Sequence, residues 1–127
     1  MKKIITFACC FLPAVCFAGP SSHYIFNYSE KYDMEVIYTN GGSDPQTVSI
    51  PNAKNGKNYI KTDANVLNVV KVTEKNPDGT VHLKADFYNN SILCDTGFDS
   101  TTNTIILDDM RGSDVMTCSL SESGTTK

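Results

Sequence analysis

The sequence predicts an all-β domain, either a single antiparallel β-sandwich or a small barrel of about seven to nine short strands. Short segments in which apolar and polar residues alternate run through the middle of the chain. Turn-forming Gly, Pro, Asn and Asp residues separate these segments at intervals of roughly 8 to 12 residues. No window of about 11 residues has apolar side chains at helical spacing. These observations favour strands over helices.

The first 18 residues are predicted to be a cleaved secretory signal peptide. Lys2 and Lys3 precede an apolar run at 4–17, and Ala18 is a small residue of the kind found just before a cleavage site. An apolar run of 14 residues is shorter than the roughly 20 that a membrane-spanning helix needs. We therefore expect export to the periplasm or the medium, with a mature chain that begins at Gly19 and has no membrane span.

Cleavage before Gly19 would leave one β-domain at 19–120 and a flexible tail at 121–127, because apolar residues stop after Leu120. The alternative is a lipoprotein in which Cys16 accepts the lipid. The three residues before Cys16 do not match a lipobox, so cleavage without lipid attachment is the prediction.

Alternation of apolar and polar residues also defines the individual strands. The clearest pair is a long hairpin of 65–75 and 80–88, joined by the turn sequence Asn-Pro-Asp-Gly at 76–79. The second strand of this hairpin should bury the face that contains Phe87 and expose the face that contains His82. Shorter segments predict the other strands, at 24–28, 34–39, 46–50, 58–62, 91–94, 104–107 and 115–120.

An immunoglobulin-like sandwich is the commonest architecture for strands of this number and length. Its usual sequence marks are missing, since the chain has no Trp and the two cysteines of the mature chain, Cys94 and Cys118, both lie near its C-terminal end. In an oxidising compartment two cysteines without a competing thiol pair with each other. We expect a Cys94–Cys118 disulfide. The sandwich should be immunoglobulin-like in its general architecture, without membership of that family.

Charge argues against a nucleic-acid partner. The full chain carries a formal charge of −3. Loss of Lys2 and Lys3 with the signal peptide leaves nine basic residues against 14 acidic ones, or −5. Proteins that bind nucleic acid usually carry an excess of positive charge.

The sequence has no recognisable catalytic set, so no catalytic residue and no cofactor is predicted. His23 and His82 are the only histidines, and no serine lies in a nucleophile-elbow motif. Two isolated histidines and two distant cysteines also lack the spacing of a zinc site. Both histidines are interpreted as ordinary structural or surface residues.

An acidic segment near the C-terminus contains the weak candidates for a calcium site. Asp95, Asp99, Asp108 and Asp109 offer carboxylate oxygens, which calcium prefers. Their spacing does not match an EF-hand loop, and Asp, Gly, Ser and Asn are equally typical of plain surface turns. The plain surface loop is the favoured interpretation.

Aromatic residues near the mature N-terminus are the weak candidates for a binding surface. Tyr24, Phe26 and Tyr28 share one face of a predicted strand, so they could form a platform for a sugar or a partner protein. The alternative is that this face belongs to the core, which we expect because a chain without Trp needs its aromatic rings inside.

Two classes of function therefore remain. The first is a non-enzymatic binding or interaction module of the cell envelope or secreted fraction, with a protein or a carbohydrate as its partner. The second is a small hydrolase or calcium-dependent protein that uses the acidic segment from Asp95 to Asp109. The lack of a catalytic set favours binding.

Overall fold

The computed structural model describes residues 22–41, 44–63, 66–89, 93–96 and 102–122. They form two four-stranded sheets packed face to face, which confirms the predicted all-β sandwich over the barrel. The predicted signal peptide lies outside the described residues. In the described part, no helix is long and apolar enough to cross a membrane. The strands are β1 His23–Asn27, β2 Asp33–Asn40, β3 Gln46–Ile50, β4 Tyr59–Thr62, β5 Leu67–Lys75, β6 Val81–Asp86, β7 Thr102–Asp108 and β8 Thr117–Glu122.

Sequence periodicity located these strands well, with two differences. In the predicted strand at 91–94, the described residues Leu93 and Cys94 belong to no strand, and the next residue, Asp95, forms an isolated bridge with Asn68. At the other end, β8 extends to Glu122, so Ser121 and Glu122 pair with β7 rather than beginning the tail. Residues 123–127 lie outside the described residues.

The strand order is β4-β1-β7-β8 in one sheet and β3-β2-β5-β6 in the other. The predicted hairpin is present as the antiparallel pair β5–β6. One pair departs from the antiparallel expectation, because β1 and β7 run parallel in the centre of the first sheet. The two strands are far apart in sequence, so no tight turn obliges them to run antiparallel.

The core between the sheets is aliphatic, with one phenylalanine and one cysteine. Its residues are Ile25, Met34, Val36, Ile50, Leu67, Val69, Val72, Phe87, Cys94, Ile105 and Leu107. The predicted disulfide is present, with 5.9 Å between the Cα atoms of Cys94 and Cys118. Cys118 lies in β8, whereas the Cys94 carbonyl accepts a hydrogen bond from Val69 in β5. The disulfide therefore ties one sheet to the other.

Candidate functional site

A groove of about 770 Å³ lies where three loops meet at one end of the sandwich. It is lined by Tyr28, Glu30, Lys31, Lys54, Asp108, Arg111 and Gly112. The β1–β2, β3–β4 and β7–β8 loops contribute these residues, apart from Asp108, which is the last residue of β7. Its volume falls in the range of small-molecule sites, which is about 300–1,000 Å³. The loops bring together residues that are distant in sequence, which is why no sequence motif predicted the groove.

Both cationic and anionic side chains line this groove. Three cations, Lys31, Lys54 and Arg111, lie among its lining residues with two acids, Glu30 and Asp108. Lys54 Nζ is 3.7 Å from Glu30 Oε1, and both side chains are exposed, so this ion pair is weak. The groove therefore carries a local excess of positive charge on an acidic protein.

Tyr28 lies at the edge of the groove and keeps its hydroxyl proton. Partial burial and the nearby Asp108 carboxylate raise the pKa of Tyr28 above its ordinary value of 10.0. The hydroxyl is therefore a stable hydrogen-bond donor across the physiological pH range.

Arg111 is held in an unusual backbone conformation in the turn of residues 109–114, hereafter the β7–β8 turn. Met110, Arg111 and Gly112 have φ angles of 53°, 70° and 82°. A left-handed conformation costs a residue with a side chain roughly 1–2 kcal/mol. Such strain persists only where surrounding contacts impose it, and it is concentrated at functional positions.

Asp109 supplies those contacts from within the turn. Its Oδ1 accepts a hydrogen bond from the Gly112 amide at 2.9 Å. Its carbonyl accepts two more, from the amide and the hydroxyl of Ser113, each at 2.9 Å. Asp108 Oδ1 accepts the Met110 amide, also at 2.9 Å. The turn is thus closed by its own side chains, and Arg111 is presented at a defined position.

Beneath the turn lies a buried polar cluster of Ser29, Glu74 and Asp109. The Ser29 hydroxyl donates a hydrogen bond to Asp109 Oδ2 at 2.6 Å. The same hydroxyl oxygen accepts the amides of Tyr32 and Lys31, at 3.0 and 3.2 Å. Ser29 is therefore fully used in fastening the β1–β2 loop to the β7–β8 turn.

Glu74 lies in β5 and belongs to this cluster. Its side chain has no exposed surface. Neither of its carboxyl oxygens accepts a hydrogen bond from the described residues. Burial, the largest cause, and the neighbouring Asp109 carboxylate together raise the pKa of Glu74 from 4.5 to about 8. Glu74 therefore favours its neutral, protonated form at neutral pH.

The pKa of Asp109 is shifted in the opposite direction. Burial alone would raise the pKa of Asp109, but hydrogen bonds from Ser29, the Gly112 amide and Glu74 outweigh it and lower the pKa below 3.8. The pKa values of the two carboxyl groups are therefore shifted in opposite directions.

His82 lies against this cluster, and the expectation that its side chain is on an exposed face is wrong. Lys75 pairs with Val81 while Glu74 pairs with Leu83, so His82 is the extra residue of a β-bulge. A bulge redirects a side chain away from the simple alternation. The His82 ring stacks on Tyr32 with 4.1 Å between centroids, and its Nε2 lies 4.0 Å from Glu74 Oε1.

The cluster has the residue types of an acid–base site but not the access that catalysis requires. Ser29 and Glu74 have no exposed surface and Asp109 has almost none. None of the three lines the groove. A catalytic acid or base must reach the substrate within hydrogen-bond distance. The cluster therefore lies beneath the turn and is buried away from the groove.

The aromatic candidates lie outside the core between the sheets, although Phe26 is buried as the core expectation required. Ile25 points into the core, and alternation directs Tyr24 and Phe26 to the opposite side. Phe26 is nonetheless buried, because Tyr59 stacks on it at 4.9 Å and Tyr28 meets it edge-on at 6.2 Å. We call Tyr24, Phe26, Tyr28 and Tyr59 the outer aromatic cluster. It meets the groove at Tyr28.

The calcium candidates are separated in the structure. Asp108 lines the groove and Asp109 is buried beside Glu74, whereas Asp95 bridges Asn68 at the start of β5. The six residue steps from Asn68 to Glu74 span about 20 Å of strand. Asp99 lies outside the described residues. Within the described residues, no group of three or more His, Cys, Asp or Glu side chains could hold a metal ion.

Sequence reasoning overlooked Glu74 and Ser29, although one signal pointed to Glu74. It lies two residues after the core residue Val72, on the strand face that alternation predicts to be buried. A carboxyl group on a buried face needs a partner or must stay neutral. His23, by contrast, is simply buried at the start of β1, in the sheet that does not contain His82.

Comparison of the chain with protein-family models, with curated proteins and with solved structures finds no match in any of the three.

Proposed function

We propose that the protein is an exported, non-enzymatic binding module that holds an anionic carbohydrate in the groove. The observation that carries this proposal is the convergence of Lys31, Lys54 and Arg111 around Tyr28, with Arg111 fixed by a strained turn. Guanidinium and ammonium groups recognise carboxylate, sulfate or phosphate groups through charge-assisted hydrogen bonds. Export rests on the N-terminal sequence alone.

The mixed character of the groove favours a sugar over a simple anion. Glu30 and Asp108 repel a bare anion, but their carboxylates accept hydrogen bonds from sugar hydroxyl groups. The Tyr28 ring offers an apolar surface beside them, and the outer aromatic cluster extends this surface along the sheet. Lys57 Nζ lies over the Tyr59 ring at 5.1 Å, so positive charge accompanies the aromatic rings.

The sealed position of the buried polar cluster supports binding over the alternative of a hydrolase. Ser29 is used as a hydrogen-bond bridge, and neither Glu74 nor His82 lines the groove. Recognition needs only a shaped surface with convergent polar groups, which the groove provides.

Isothermal titration calorimetry of the mature protein with polygalacturonate, a polymer of acidic sugars, tests the proposal. Neutral galactan and polyglutamate serve as comparison ligands. Polygalacturonate alone should bind, and Arg111→Gln should weaken this binding by roughly tenfold or more, the size of one charge-assisted contact. Lys84→Gln is the matched control, because Lys84 is an exposed cation in β6 of the other sheet.

Each alternative result has a defined meaning. If polyglutamate bound as tightly as polygalacturonate, the inferred partner would be an acidic protein and not a carbohydrate. Absence of binding to all three polymers, or equal losses in the Arg111 and Lys84 variants, would overturn the assignment of the groove.

A further inference from the structure

We propose that Asn55 is a site of spontaneous deamidation, at which an uncatalysed reaction with water turns a neutral side chain near the groove into a negatively charged one. The chain contains two Asn-Gly dipeptides, Asn55-Gly56 and Asn40-Gly41. Glycine has no side chain, so it leaves the backbone nitrogen that follows an asparagine unshielded. The surroundings of the two dipeptides differ, and this difference predicts which of them reacts in the folded protein.

The reaction needs no partner other than water. The deprotonated backbone nitrogen of Gly56 attacks the side-chain carbonyl carbon of Asn55 and forms a C–N bond. The side-chain nitrogen leaves as ammonia, which takes up a proton, and a succinimide ring remains. Water then opens the ring at either carbonyl carbon and gives an aspartate or an isoaspartate. One water is consumed and one ammonia is released, so the step requires neither an oxidant nor a reductant.

The Asn55-Gly56 dipeptide lies in the exposed part of the β3–β4 loop. The loop is anchored on both sides, because the Asn55 amide donates to the Asn52 carbonyl at 3.0 Å and Asn58 Nδ2 donates to the Asn27 carbonyl at 2.8 Å. Between these anchors, neither the Asn55 side chain nor the Gly56 amide makes a hydrogen bond to another described residue. A Cβ atom added at Gly56 would meet nothing within 4 Å apart from its chain neighbours. The attacking nitrogen therefore has open space around it and no hydrogen bond to break.

The Asn40-Gly41 dipeptide is held in place at the end of β2. Asn40 pairs with Leu67 of β5. Its side-chain oxygen accepts a hydrogen bond from the Val66 amide at 3.3 Å, and the Gly41 amide donates to the Val66 carbonyl at 2.8 Å. Both reacting groups are thus bonded to the same residue. Attack requires this strand end to open, and the loss of two hydrogen bonds should slow the reaction by roughly tenfold or more.

Deamidation of Asn55 would change the charge beside the groove. Lys54, which lines the groove, is the preceding residue. Lys57 follows two residues later, with its Nζ over the Tyr59 ring at 5.1 Å. A carboxylate between these two lysines offsets part of their positive charge. An anionic carbohydrate should then bind more weakly, and this consequence alone rests on the proposed function.

Peptide mass spectrometry of the folded mature protein, incubated at mildly alkaline pH, measures both dipeptides in one sample. The peptide that contains Asn55 should gain the mass difference between an amide and a carboxyl group. The peptide that contains Asn40 should gain it more slowly by roughly tenfold or more. In protein unfolded in guanidinium chloride, the two peptides should react at similar rates, because neither dipeptide is then held by hydrogen bonds.

Equal rates for Asn40 and Asn55 in the folded protein would overturn the proposal, as would an unreacted Asn55 in folded protein over a period in which the unfolded chain reacts. Calorimetric titration with polygalacturonate tests the consequence separately. Asn55→Asp should bind more weakly than Asn55→Gln, which keeps a neutral amide, and equal affinities would contradict the effect on binding. If the unaltered protein does not bind this polymer, the proposed function fails while mass spectrometry still decides whether Asn55 deamidates.

Discussion

The unaltered protein should lose stability as the pH rises from 5 to 8. The most specific prediction for stability is that the Glu74→Gln variant does not show this loss. The pKa of Glu74 rises from 4.5 to about 8 on folding. Between these two values the unfolded chain releases the Glu74 proton while the folded protein retains it, so stability decreases as the pH rises. The Glu74 contribution is complete below about pH 4.5 and lost by about pH 8.

The magnitude follows from the size of the shift. Each unit of pKa difference corresponds to 1.36 kcal/mol, so the full change is worth up to about 5 kcal/mol at pH 8. A domain of this size is stable by about 5–15 kcal/mol in total. Even a loss of about 2 kcal/mol would lower the melting temperature by roughly 8–16 °C, which thermal unfolding followed by circular dichroism detects readily.

Thermal unfolding of the two proteins from pH 5 to pH 8 provides the assay. The melting temperature of the unaltered protein should fall relative to that of Glu74→Gln across this range. Glu35→Gln, which changes an exposed carboxyl group on the neighbouring strand, should follow the unaltered protein. A constant difference between the unaltered protein and Glu74→Gln at every pH would refute the reasoning, because it would show that Glu74 does not titrate abnormally.

Three further predictions concern the turn, the disulfide and processing. Gly112→Ala should lower the free energy of unfolding by about 1–2 kcal/mol, because the φ of +82° at Gly112 is unfavourable for alanine; chemical denaturation measures this, and an unchanged midpoint contradicts it. Reduction of the Cys94–Cys118 disulfide, which closes 24 residue steps of chain, should cost roughly 3 kcal/mol, and an unchanged denaturation midpoint after reduction would contradict this. Intact mass of the exported protein should correspond to a chain that begins at Gly19, whereas a lipid-modified chain that begins at Cys16 would show the signal-peptide prediction to be wrong.

Local patterns in the sequence were sufficient for most of the strands. The Asn-Pro-Asp-Gly turn and the flanking alternation identified the β5–β6 hairpin, whose turn is closed by a hydrogen bond from the Gly79 amide to the Asn76 carbonyl. The disulfide followed from the two cysteines that remain after the predicted signal-peptide cleavage and from the oxidising compartment that export implies. These features depend on neighbouring residues or on composition, so a single sequence contains them.

Features that depend on how strands meet were not predictable in this way. The parallel pairing of β1 and β7 is a choice of topology, and the bulge that directs His82 toward Glu74 depends on the register of one strand pair. The burial of Phe26 on an outer face depends on Tyr59, a residue from another strand. The groove is assembled from three loops, so its charge pattern emerges only when the sandwich is folded.

Mapping of amide chemical shifts during titration with a short oligogalacturonate tests the central claim of a carbohydrate-binding groove most directly. The account predicts the largest shift changes at Tyr28, Lys31, Lys54 and Arg111, and small changes in β3 and β6 of the other sheet. Changes confined to β3 and β6, or no saturable change at any residue, would contradict it.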